Sequence, residues 1–124
     1  MSFFKKDKKV PEGSLILVSV VDTVAEKFGA LVQIDNEKAA IRAFRDMVRD
    51  KRSVIGQHPA DFQLVRIGYF NPSTGDIYSA QKDGKPEVIL SGFEADGLNQ
   101  FEGVPTIERE VKNEVHNEIQ PSEK

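Results

Sequence analysis

Asn36-Glu37-Lys38-Ala39-Ala40-Ile41-Arg42-Ala43-Phe44-Arg45-Asp46-Met47-Val48-Arg49-Asp50-Lys51 is the stretch whose periodicity decides the fold class. At about 100° per residue, Ala40, Ile41, Phe44, Met47 and Val48 gather around one direction, as the core-facing stripe of a helix does. Asp35 or Asn36 offers a side-chain oxygen to cap the first exposed N–H groups, and Glu37 suits the positive end of the helix dipole. The spacing predicts one helix over residues 36–51. Its flanks read differently.

Leu15-Ile16-Leu17-Val18-Ser19-Val20-Val21 is rich in β-branched residues and ends at Asp22-Thr23, which predicts a buried strand. Residues 30–34, after Gly29, predict a second; Val24-Ala25-Glu26-Lys27-Phe28 between them has no clear period. Beyond the helix, Gln57-His58-Pro59-Ala60-Asp61 is a turn-rich connector, because Pro59 drives His58 out of helical geometry. Phe62-Gln63-Leu64-Val65-Arg66-Ile67-Gly68-Tyr69-Phe70 predicts a long strand. Asn71-Pro72-Ser73-Thr74-Gly75-Asp76 turns it into Ile77-Tyr78-Ser79-Ala80, with Pro72 presetting φ and Gly75 supplying positive φ. Asp83-Gly84-Lys85-Pro86 makes another turn before Glu87-Val88-Ile89-Leu90. The order is ββα followed by two or three strands. This predicts an α+β fold with a small, mainly antiparallel sheet and one helix packed on it.

That domain occupies residues 14–93. Residues 1–13 form a basic arm, with Lys5, Lys6, Lys8 and Lys9 against Asp7 and Glu12. Residues 94–124 form a tail with eight acidic and three basic residues. Both ends lack the apolar patterning that offsets ordering entropy, so a flexible arm and a flexible tail are expected. Within the tail Ile107, Val111, Val115 and Ile119 recur every fourth residue; the stripe suits a helix docked on a partner or a second copy, and equally a frayed acidic segment.

The chain's 124 residues and 39% hydrophobic content suit one water-soluble domain. The longest apolar run, residues 15–21, is far short of the roughly 18 to 20 that span a bilayer, so no membrane association is expected. The basic start lacks a small-residue cleavage site and reads as no signal peptide. With no cysteine, disulfides, thiolate zinc sites and thiol nucleophiles are excluded; a reducing cytoplasm fits. His58 and His116 stand alone, without the spacing of a metal site. No glycine-rich phosphate loop or Gly-x-Ser-x-Gly elbow occurs. Asp22, Asp35 and Asp61 are singled out by no pattern as catalytic carboxylates. The expectation is a non-enzymatic protein without cofactor or metal.

The net charge of −3 hides a polarised chain, with six basic and three acidic residues between 36 and 52. With Lys38 at zero on the helical wheel, Arg42, Arg45, Arg49 and Arg52 fall at about 40°, 340°, 20° and 320°. These five cations are the candidate binding residues, roughly 120° away from the apolar stripe. Fixed positive charges at repeated spacing match a phosphate backbone, and arginine bonds phosphate oxygens through two N–H groups. A solvated helix face reads the same way, and Asp46 and Asp50 stand ready to neutralise part of it. Stacking residues would strengthen the case for single-stranded nucleic acid. Tyr69 and Tyr78, flanking the Pro72 turn, are the candidates, with Phe3 and Phe4 in the arm; Phe28, Phe44, Phe62 and Phe70 are assigned to the core.

Taken in order, Val21-Asp22-Thr23, Ala40-Ile41-Arg42-Ala43-Phe44-Arg45-Asp46-Met47-Val48, Ile55-Gly56-Gln57-His58-Pro59-Ala60-Asp61-Phe62, Ile67-Gly68-Tyr69-Phe70 and Thr74-Gly75 resemble the small non-structural protein of gokushovirus-type microviruses. These are phages with circular single-stranded DNA genomes. The resemblance covers residues 15–93 and rests on the pairing of the A-I-R-x-F helix with the H-P-x-D-F-x-L connector. It implies a protein made in the cytoplasm of the infected bacterium, absent from the mature virion, that binds DNA while single-stranded genomes are produced. Only Arg42 is carried by the shared A-I-R-x-F motif. The chain departs from the family pattern at Phe28-Gly29-Ala30-Leu31, where a proline is expected, and at Asn71, where an aspartate is common. The functional expectation is a single-stranded DNA-binding phage protein acting in viral genome replication. The rival is a protein-interaction module, either a homo-oligomer or an adaptor to a phage or host replication protein.

Overall fold

The structure is a computed structural model that describes residues 10–101. Its elements are β1 (Leu15–Asp22), β2 (Lys27–Phe28), β3 (Val32–Ile34), α1 (Glu37–Arg49), α2 (Val54–Gln57), β4 (Phe62–Phe70), β5 (Ile77–Ser79), β6 (Glu87–Ser91) and α3 (Gly92–Phe101), with a 3-10 turn at Pro59–Asp61 before β4. The sheet is antiparallel throughout: β1 and β4 pair along their whole lengths in the centre. β2 and β3 share the outer side of β1, and β5 and β6 share the outer side of β4. The α+β architecture is the expected one.

Directly opposed residues of an antiparallel pair share a face, so Val18 with Arg66 and Val20 with Leu64 lie on the same side. Onto that side α1 packs Ala40, Phe44 and Val48, and the core adds Ile16, Phe62 and Ala95. Phe44 is 0% exposed at its centre. Two extra residues adjust the pleat: Ile67 where β4 shifts register against β1, and Ile89 where β6 shifts against β4. Such bulges strengthen the local twist.

Local chemistry explains where the structure and the sequence reading differ. α1 starts as expected, with Asn36 accepting from the Ala39 N–H at 2.9 Å. It stops at Arg49 rather than Lys51 because Asp50 turns extended and its carboxylate accepts from the Arg52 N–H. Ser53 then caps the short α2, so the 57–61 connector is more regular than expected. The expected second strand, residues 30–34, is shortened to β3, and a separate two-residue strand precedes it. Asp22 accepts from the N–H groups of Val24 and Ala25, Glu26 takes φ 60°, and β2 forms at once, in the segment without a clear period. Residues 29–31 then interrupt the pairing, held by Gly29 N–H to Val20 O at 2.8 Å and by the Ser19 hydroxyl to Gly29 O at 3.1 Å. Phe28, assigned to the core from sequence, is 53% exposed on this edge. Met47 is also exposed, at the margin of the apolar stripe. At the other departure, Asn71 does an aspartate's work: its side-chain oxygen accepts from Ser73 N–H at 2.9 Å, and Gly75 has the expected positive φ of 82°.

α3 is a second helix on the sheet, at a place where no helix is expected; the sequence reading has only the helix at 36–51 packed there. It begins inside the 14–93 domain span and continues past its end to Phe101, packing beside α1. Ser91 and Glu94 form a capping box: the hydroxyl accepts from Glu94 N–H at 3.0 Å and the carboxylate from Ser91 N–H at 2.9 Å. Gly92 sits so close to the Pro59 carbonyl that a Cβ there would lie 1.8 Å from its oxygen. Residues 1–9 of the 1–13 basic arm, with Phe3 and Phe4, and the Ile107-to-Ile119 stripe lie outside the described residues. Among the described residues no helix is long and apolar enough to cross a membrane.

Candidate nucleic-acid interface

α1 is held in place from its N-terminal end. Arg66 of β4, buried beneath the helix, pairs with Glu37 in the first helical turn and with Glu87 of β6 at 2.8 Å. Its guanidinium carbon stands 5.9 Å from the centre of the Tyr69 ring. Burial works against this charge, but Tyr69, Glu87 and Glu37 together outweigh it and hold the arginine's pKa above its ordinary value. The ion pairs fix the rotation of α1 on the sheet. Phe44 and Val48 point inward, and the cations point elsewhere.

Lys38, Arg42, Arg45 and Arg49 share that outer face and, with Ile41 and Asp46, line one surface depression. Along the helix axis they extend about 16 Å. Lys38 and Arg42 are exposed, and their side chains have no partner among the described residues. Arg45 and Arg49 are tied to α3. The Asn99 side-chain oxygen accepts from Arg45 Nε at 3.0 Å and from Arg49 at 3.0 Å, and its amide donates to the Arg45 carbonyl at 3.0 Å. Arg49 also pairs with Asp46 at 2.6 Å. Asp46, four residues beyond Arg42, thus serves Arg49.

Arg52 is a correction to the five-cation arc. It lies beyond the end of α1, so helical angles do not place it; its side chain, 93% exposed, reaches back to Asp50 at 3.1 Å. The Arg52 guanidinium and then its N–H hold the Asp50 carboxyl below its ordinary value. Lys51, absent from the predicted row, bonds the carbonyls of Val48 and Gly56 and pairs with Asp96 of α3 at 3.2 Å.

The stacking pair is also corrected. Tyr78 is 5% exposed, so its ring offers no platform to a base. Tyr69 is half-buried against the core, with Arg66 over its ring. The reason is the register: Tyr69 and Tyr78 oppose each other across β4 and β5, inside the sheet rather than at the hairpin tip. Asn99 is the site residue that sequence reasoning misses. Its only early signal is its place three residues beyond Asp96 in a helix announced by the Ser91–Glu94 box.

Fold and face together define a class: a small α+β protein that presents a row of cations on one helix of an antiparallel sheet. The Phage ORF5 protein family model matches residues 15–95, and the chain belongs to that family. It is 36% identical over 64 residues to Protein ORF5 of Chlamydia phage 1, a match covering 48% of this chain and 67% of that one. The kinship with gokushovirus-type microviruses, expected from the motifs, is thereby borne out. No solved structure matches the chain.

Proposed function

We propose that this phage protein binds single-stranded DNA through the outer face of α1, without catalysis, in the cytoplasm of the infected bacterium while viral genomes are being synthesised, and that it is not retained in the mature virion. The observation that carries this reading is the row itself. Lys38, Arg42, Arg45 and Arg49 stand on one face of a helix whose opposite face is locked into the core. The helix fixes the backbone of all four, and Asn99 orders the Arg45 and Arg49 side chains as well, which lowers the ordering cost of binding phosphate. Arg52, 93% exposed, and the lysines of the basic arm add further positive charge to this half of the chain. Single strands are favoured because the described residues hold no recognition-helix pair, and because the resemblance implies a single-stranded genome.

The test is binding of the full chain to single-stranded DNA, duplex DNA and RNA oligonucleotides of matched length, each at low and high salt. Tighter binding to the single DNA strand, weakening with salt, is the expected result. No binding at low salt rejects it and favours the second reading, a protein-interaction module. That reading is supported by the apolar cleft of about 400 Å³ between α1, α2 and the β2–β3 edge, where Phe28, Val32 and Met47 are exposed.

A further inference from the structure

α3 delivers the chain to the edge of the basic row. Asn99 bonds both Arg45 and Arg49, and α3 ends two residues later at Phe101. A further 23 residues follow. They contain Glu102, Glu108, Glu110, Glu114, Glu118 and Glu123 against Arg109, Lys112 and Lys124, a net charge of −3. Extended, such a segment reaches up to about 75 Å, whereas the row runs only about 16 Å along α1. An anionic chain tethered this close acts at an effective concentration on the order of millimolar. α3 itself already shows the pairing on a small scale, with Asp96 in its middle drawn onto Lys51.

We propose that the acidic segment 102–124 docks on the Lys38, Arg42, Arg45 and Arg49 row and competes there with single-stranded DNA, the competition resting on the function proposed above. Carboxylates and phosphates want the same donors, so one excludes the other. A tethered competitor does not abolish binding. It raises the nucleic-acid concentration needed for occupancy, and does so most at low salt, where the attraction is least screened. Sparse or short strands are thereby refused, while long strands that engage the whole row displace the tail.

The test uses the full chain and its variant E108Q/E110Q/E114Q/E118Q, which neutralises the tail and leaves every described residue in place. Without DNA, the amide NMR signals of Lys38, Arg42 and Asn99 should differ between the two proteins at about 0.1 M salt and converge near 1 M, where the screening length falls to about 3 Å. In fluorescence anisotropy with oligothymidylate, the variant should bind about five- to tenfold more tightly at the lower salt. Identical α1 signals at low salt, or differences confined to the N-terminal lysines, overturn the docking. Equal affinity of two proteins that both bind DNA overturns the competition and leaves the DNA-binding function standing. If neither protein binds DNA, the function proposed above fails and the competition with it, while the α1 signals alone decide the docking.

Discussion

Asn99 holds Arg45 at both ends, its oxygen accepting from the guanidinium and its amide donating to the same residue's backbone carbonyl, each at 3.0 Å. One neutral side chain on α3 thus sets the position of a cation on α1, and of Arg49 beside it.

Asn99→Ala removes these bonds and should destabilise the fold by about 1–2 kcal/mol, since bonds to charged groups are worth more than neutral ones but these are partly exposed. Urea unfolding measures that. Affinity for single-stranded DNA should fall about two- to fivefold as two arginines lose their fixed geometry; an unchanged affinity would detach Arg45 and Arg49 from the site.

Lys38→Glu with Arg42→Glu is the cleaner charge reversal. Both side chains lack partners among the described residues, whereas Arg45→Glu would also break the α3 contact. If the four cations of the row contact phosphates, the wild-type log–log salt slope is about −2.8, at about −0.7 per contact, and the double variant should lose at least about 1.4 of it. Thermal unfolding should barely change. A folded variant with the full slope would move the site away from α1.

Phe44→Ala empties the centre of the core and should cost about 3–5 kcal/mol. That is comparable to the whole stability of many small domains. Circular dichroism against temperature reads the loss, and a shift of only a degree or two would contradict the packing of α1 described above.

Two glycines of α3 should respond oppositely to alanine. At Gly92 the new methyl would meet the Pro59 carbonyl, so the substitution should cost at least about 2 kcal/mol. At Gly97 nothing lies within 4 Å, and replacing a helical glycine should add about 0.5–1 kcal/mol. Equal effects at both positions would disprove the close approach at Gly92.

The Ser91 N–H, and then its hydroxyl, hold the Glu94 carboxyl below its ordinary value of 4.5. A carboxyl depressed in the folded state contributes stability that is complete above the unfolded value and is lost as pH falls through the folded one. Stability should therefore decline below about pH 4.5 partly through α3. Ser91→Ala should cost about 1 kcal/mol at neutral pH. Glu94→Gln, which removes the titrating group, should flatten that acid-side decline; an identical pH profile would show that the capping box is not maintained in solution.

α1 and the two central strands are legible from sequence because their apolar residues repeat with the period of the element that buries them. The outer strands are not. β2 and β3 are short and pair mainly through backbone groups, so Phe28 gives an apolar signal at an exposed position. α3 escapes a hydrophobic reading because two of its large apolar residues, Phe93 and Leu98, face solvent and only the small Gly92 and Ala95 are buried. The Ser91–Glu94 box was the available sign. Of the row, the positions on α1 follow from its angle, but Arg52 does not, because a single Asp50 side chain ends the helix first. Asn99 is 54 residues from Arg45, and a polar residue that works at such separation leaves no local periodicity to read.

Among the described residues, the sheet's two rims are each broken into short pieces, none longer than the five residues of β6. Neighbouring molecules therefore find no continuous ladder of free amides and carbonyls to zip onto, which is the usual route by which β-proteins fuse into fibres. If several copies bind one strand, as the function proposed above would allow, this geometry would keep their lateral contacts confined to side chains. Crowding would then remain reversible, and each molecule could be stripped from the thread one at a time.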